Sequence, residues 1–170
     1  MSGLVNLGAG GHRKPSMLNR EEIAEIEALI EEYPDPRAAS IEALMVVQKH
    51  RRWVSDEALR DIAAMISMSP DELDGVATFY NLIYRRPVGR HVILLCDSVS
   101  CYIVGYEKIR RSLEAKLGIR YGETTQDDRF TLLPIACLGA CERGPALMIG
   151  EDTHFDVTSE KLDSILAGYP

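Results

Sequence analysis

All four cysteines of the chain stand in two tight pairs, Cys96 with Cys101 (C-x4-C) and Cys137 with Cys141 (C-x3-C). The pairs lie far apart in sequence and no cysteine is left over. Such spacing is how a chain builds one four-sulfur site from two loops. Whatever fold the sequence adopts must then bring those two loops together. The rest of the composition leaves the sulfurs free for that task. The chain has 170 residues, 46% hydrophobic and 26% charged. That is enough apolar material for a core without covalent staples.

Several function classes drop out on charge and hydropathy. A net charge of −7 argues against nucleic acid as a main partner, because phosphate binding needs basic patches. The N-terminal MSGLVNLGAGGHRKPSM lacks the apolar stretch of a signal peptide. No run approaches the roughly 20 apolar residues of a membrane helix. The longest apolar run, near residues 132–141, is interrupted by Pro134 and Gly139. A cytoplasmic protein without direct membrane insertion is expected, with its thiols reduced. In that setting paired cysteines serve as metal ligands or redox thiols more often than as disulfides.

The periodicity divides the chain in three. Residues 1–17 read as a flexible tail, rich in Gly and Ser and without apolar period. Residues 18–84 read as a helical region. Asn19 with Glu22 resembles a capping box before Ile23, Ile26, Leu29 and Ile30. Tyr33-Pro34-Asp35-Pro36 stops that helix. Ser40 can cap a second helix, with Ile41, Leu44, Met45 and Gln48 along one side, and Ser55 a third. Ser69-Pro70-Asp71-Glu72 combines a capping serine, proline at the first helical position and glutamate three after the cap. Residues 88–170 change to an alternating pattern: strand 91–95, helix 106–117 stopped by Gly118, strands 130–136 and 146–149, and a last helix capped by Thr158. The order is four helices followed by β-α-β-β-α, a helical region ahead of an α/β layer domain. Phe79, Tyr80 and Tyr84 are expected in the core. The basic pairs Arg51-Arg52, Arg85-Arg86 and Arg110-Arg111 are expected in solvent or in surface ion pairs.

Both cysteine pairs follow strands, Cys96 at a strand end with Cys101 in the loop beyond it, and Cys137 and Cys141 in the loop after 130–136. The carboxyl ends of strands are the usual ligand edge of an α/β sheet. A [2Fe–2S] cluster would use four thiolates, and the small residues between the cysteines suit a backbone wrapped close to sulfur, with Gly139 able to supply a positive φ. Structural zinc on four cysteines stays open on spacing alone, as does thiol redox chemistry. A thioredoxin-type C-x2-C is absent, and Val104 stands where a plant-type ferredoxin would carry its next cysteine. No histidine lies within two residues of a cysteine. There is no G-x-G-x-x-G after a strand, so the chain is not expected to bind NAD or flavin itself.

The segment 127–145, DDRFTLLPIACLGACERGP, resembles the signature of the small iron–sulfur subunit family of respiratory NADH:quinone oxidoreductase (complex I). LLCDSVSCYIVG resembles that family's other ligand loop, and ALMVVQKHRRWVSDEALRDIA and SPDELDGVATFY its helical half. The resemblance runs over about residues 20–167. It implies a thioredoxin-like [2Fe–2S] ferredoxin domain behind the helical region, with one cluster on Cys96, Cys101, Cys137 and Cys141. It implies electron transfer with the FMN of an NADH-binding partner subunit, in the peripheral arm of an inner-membrane complex. FMN and NADH are expected only on that partner. The short N-terminus, without a mitochondrial-style presequence, suits a bacterial protein. Similar subunits occur in NAD-linked hydrogenases and formate dehydrogenases, and a zinc-stapled interaction module is the reading from another class.

Overall fold

A computed structural model describes residues 17–170. The expected tail, apart from Met17, and His12 lie outside the described residues. The helical region holds α1 (Arg20–Glu31), α2 (Ser40–Arg51), α3 (Asp56–Met65) and α4 (Pro70–Phe79). Its boundaries follow the chemistry of the caps. Asn19 accepts from the Glu22 N–H while Glu22 reaches back to the Asn19 N–H, a complete capping box. Ser69 and Glu72 form a second box, with Pro70 at the first helical position. Ser55 caps α3 through the Ala58 N–H at 3.2 Å.

The second half is a four-stranded sheet with helices packed on it. Its strands are β1 (His91–Cys96), β2 (Phe130–Ile135), β3 (Leu147–Ile149) and β4 (Asp152–His154), in the order β2-β1-β3-β4. β1 and β2 run parallel; β1 with β3 and β3 with β4 run antiparallel. The parallel pair is joined through α5 (Val99–Ile103) and α6 (Tyr106–Leu117), and α7 (Leu162–Ala167) closes the chain. Pro134 sits in β2 opposite Leu95. β2 is an edge strand, the position in a sheet where a missing N–H is tolerated.

Two hydrophobic cores form. One gathers Ile26, Leu44, Val47, Leu59, Ile62, Ile66 and Leu73 among the helices. The other gathers β1, Leu132, Leu147 and Ile149 with Ile109 and Leu113 of α6. The division falls between neighbours: Ile83 belongs to the first core, and Tyr84 packs on the second. Polar groups bridge the junction. The Gln48 amide donates to the Leu82 carbonyl at 2.7 Å and accepts from the Tyr84 N–H at 2.6 Å. Arg52 meets Asp128 at 3.0 Å.

Among the described residues, five of the six arginines in the basic pairs, all but Arg86, stand in ion pairs, some of them structural. Arg85 reaches Asp56 and Asp74 and also bonds the Val54 carbonyl, fastening α3 to α4. Arg110 and Arg111 pair with Glu107 and Glu114 along α6. Arg51 grips Glu22 through two contacts of 2.5 Å. Burial pushes the Glu22 carboxyl up, but the Arg51 bonds and the Asn19 N–H outweigh it and hold the group below the ordinary glutamate range.

Several expectations are corrected. Ser40 is the first residue of α2 and not its cap, because a 3-10 turn at Pro36–Ala39, capped by Asp35, leads directly into the helix. The buried face of α2 is Ala43, Leu44 and Val47, and Met45 is exposed. Thr158 does not cap the last helix, which begins at Leu162 after Lys161. Phe79 and Tyr80 are exposed rather than core residues, stacked edge to face at 5.5 Å. β4 and α5 are elements the periodicity did not announce.

Breaking the Arg51–Glu22 pair leaves a fully buried carboxylate without its charged partner, held by the Asn19 N–H, while Arg51 itself is 28% exposed. Arg51→Met is expected to destabilise the chain by about 2–3 kcal/mol in denaturant unfolding, below the ~3–5 kcal/mol of a fully buried pair.

Candidate metal centre

The sheet register brings the two cysteine loops to one edge. Cys96 ends β1 and lies opposite Ile135, the last residue of β2. The chain leaves both strands at the same carboxyl-terminal edge, so Cys96–Cys101 and Cys137–Cys141 start side by side. The Asp97 N–H donates to the Ile135 carbonyl at 3.1 Å, tying the first loop to the base of the second.

Each pair has its own local architecture. Cys96 and Cys101 are buried. Cys101 lies within the short helix α5, a correction to its expected place in a loop. Cys137 and Cys141 are exposed. Cys141 opens a 3-10 turn that ends at Arg143. Between them Gly139 takes φ +71°, left-handed geometry that glycine adopts without penalty. The Gly139 N–H donates to the Cys137 sulfur at 3.3 Å.

Ala146 joins the buried pair. Its carbonyl accepts the Cys96 N–H at 3.1 Å, and its backbone N–H lies near enough to the Cys101 sulfur to favour the thiolate. Burial pushes the Cys101 thiol up, the Ala146 N–H opposes this, and hydrogen bonding to Cys96 with the charges of Cys96 and Cys141 raises it further. Cys101 is therefore an electrostatic neighbour of one sulfur from each pair. Four thiols, a backbone N–H donated to the Cys137 sulfur and small intervening residues fit an iron–sulfur cluster. Among the described residues, no three His, Cys, Asp or Glu side chains gather tightly enough to ligate one ion. A cluster with two irons takes its thiolates two to each iron, so pairs are what it requires.

The described histidines are used elsewhere. His50 bonds Glu25 at 2.7 Å, His91 the Pro170 carbonyl at 3.1 Å and His154 the Tyr169 hydroxyl at 2.8 Å. Sequence reasoning passed over one surface beside the site. Val99, Tyr102, Ile103 and Val104 are 70%, 60%, 77% and 52% exposed around the buried Cys101. The signal was present as an apolar run, CYIV, in a segment read as a loop. Among the described residues, no helix is long and apolar enough to cross a membrane.

A family model described as thioredoxin-like [2Fe–2S] ferredoxin matches residues 26–170. The E component of the NADH-quinone oxidoreductase of Escherichia coli (strain K12) is 53% identical over 152 residues, covering 89% of this chain and 92% of the relative. Its counterpart in Pseudomonas aeruginosa, of the same name, is 49% identical over 153 residues, covering 90% and 92%. Among solved structures, a NAD+-reducing [NiFe]-hydrogenase aligns with a TM-score of 0.64 at 24% identity, over 77% of this chain and 22% of the hydrogenase chain. That likeness is one of fold.

In the reduced, cluster-free chain, an alkylating reagent is expected to label Cys137 and Cys141 before Cys96 and Cys101, because exposure decides access. Peptide mass spectrometry at timed quench points checks the order.

Proposed function

This chain belongs to the thioredoxin-like [2Fe–2S] ferredoxin family, and from that premise we propose that Cys96, Cys101, Cys137 and Cys141 hold its cluster and that it works as the electron-transfer subunit of an NADH:quinone oxidoreductase. The observation that carries this reading is the convergence of both cysteine loops at one sheet edge. When bound, the [2Fe–2S] cluster supplies one-electron redox chemistry. The chain's residues set its surroundings. Cys96 and Cys101 anchor the site in the α/β core, while Cys137 and Cys141 hold it at the surface. The Gly139 N–H, bonded to the Cys137 sulfur, stabilises negative charge on that thiolate, and the Ala146 N–H favours the charged form of Cys101.

The partner is a subunit that carries FMN and binds NADH, where the hydride chemistry takes place. Electron transfer falls steeply with distance, so that subunit has to seat close to the cysteine loops. Val99, Tyr102, Ile103 and Val104 supply a compact apolar surface there, of the kind that protein partners cover. The whole is placed in the peripheral arm of an inner-membrane complex. The E. coli and Pseudomonas relatives favour this assembly over the equivalent diaphorase of a hydrogenase or formate dehydrogenase.

Chain purified without oxygen should contain two irons and two acid-labile sulfides and give an electron-spin signal only after reduction. Cys137→Ser should lose most of that iron. Colourless wild-type chain with stoichiometric zinc would sink the reading. In the assembled complex, Ile103→Asp should weaken capture of the FMN-bearing subunit by about tenfold or more, as expected for a charge placed in an apolar contact. Pull-down through the tagged chain measures this; co-elution of a nickel subunit instead of membrane subunits would favour the hydrogenase alternative.

A further inference from the structure

Gly144 has no conformational reason to be glycine. Its φ of −76° and ψ of 162° are extended geometry open to any L residue. Space is the reason. A Cβ at this position would lie 3.2 Å from the Cys101 sulfur, 3.2 Å from Cγ2 of Val104 and 3.7 Å from the Cys101 Cα. The first two separations are inside the comfortable contact distance for carbon.

Which side would yield depends on what holds each. The stretch 140–146 is pinned along its length. Arg143 N–H donates to the Ala140 carbonyl, Asp156 N–H to Arg143, Val157 N–H to Pro145 and Cys96 N–H to Ala146, all at 2.8–3.1 Å. The Arg143 guanidinium also lies 4.3 Å over the Phe155 ring and 3.3 Å from Asp156. Facing this stretch is α5, five residues long and without a side-chain cap, with most of its apolar side chains turned outward. The less tethered element gives way first.

We propose that Gly144 is a positioning residue for the Cys101 sulfur: its missing side chain lets the second cysteine loop close against the first and keeps water from that sulfur. The inference rests on the [2Fe–2S] reading above. A methyl group at 144 pushes α5 outward and admits water beside Cys101. Reduction brings one electron, and with it one negative charge, to the site. Water favours the more highly charged form, so the midpoint potential rises.

The test compares Gly144→Ala with Gly75→Ala, where a Cβ meets nothing within 4 Å. Three readouts on the full chain separate position from fold: a redox titration followed by electron-spin resonance, the rate of iron loss to a chelator, and circular dichroism of the cluster-free chain. G144A is expected to show a higher midpoint potential, altered g-values and iron loss about tenfold faster, the size usual for disturbed ligand support. Its cluster-free dichroism should match wild type, and G75A should match wild type throughout. Failure of a folded G144A chain to retain any cluster is the same result carried further. Adding Val104→Ala relieves the carbon contact and leaves the sulfur contact, so the potential should stay displaced. An unchanged or lower potential in G144A, loss of its cluster-free fold, or full restoration by Val104→Ala overturns the inference. Those results leave the proposed function standing. Wild-type chain without iron and sulfide overturns both.

Discussion

The parallel pairing of β1 with β2 is the constraint on which the rest of the structure depends. A parallel pair sends both strands out at the same edge, and the register that sets Cys96 opposite Ile135 makes them end level. Two cysteine pairs remote in sequence thereby become neighbours in space. An antiparallel arrangement of the same strands would carry the two loops to opposite ends of the sheet. Ala146, one residue before β3, then ties the arrangement to β1 by accepting the Cys96 N–H with its carbonyl.

The two pairs make different contributions to the site. Cys96 and Cys101 belong to the core and share its packing. Cys137 and Cys141 stand on a turn whose shape is local, set by the positive φ of Gly139 and the bonds around Arg143. A redox site needs both qualities. Burial restricts water and fixes geometry, and exposure lets a second protein come near. The structure supplies the first from the sheet and the second from the loop.

Much of this was legible in the sequence because the signals were local. The boxes at Asn19 and Ser69, the serine cap at Ser55 and the helix from Tyr106 to its glycine stop are written in residues one turn apart. Ser40 and Thr158 misled because a serine or threonine ahead of an apolar run is compatible with several helix entries. The 3-10 turn from Pro36 already supplied one of them. β4 is three residues, Asp152, Thr153 and His154, paired only with β3 and too short to show a period. Phe79, Tyr80 and the outward residues of α5 expose a deeper limit. Hydrophobicity marks a surface to be covered, and it does not say whether the cover comes from the same chain. The cysteine ligand pattern was readable from spacing and resemblance. The role of Gly144 was not, because it depends on a distance between loops that only the fold creates.

The division of the interior into two cores, split between Ile83 and Tyr84 and joined through polar groups such as Gln48 and Arg52, has an energetic corollary. Residues in separate cores share few packing partners, and distant substitutions without shared partners add nearly independently. Substitutions in the helical core and at the cysteine-bearing edge are therefore expected to act nearly independently on stability, so the helices can change in sequence with little effect on the sheet that carries the sulfurs.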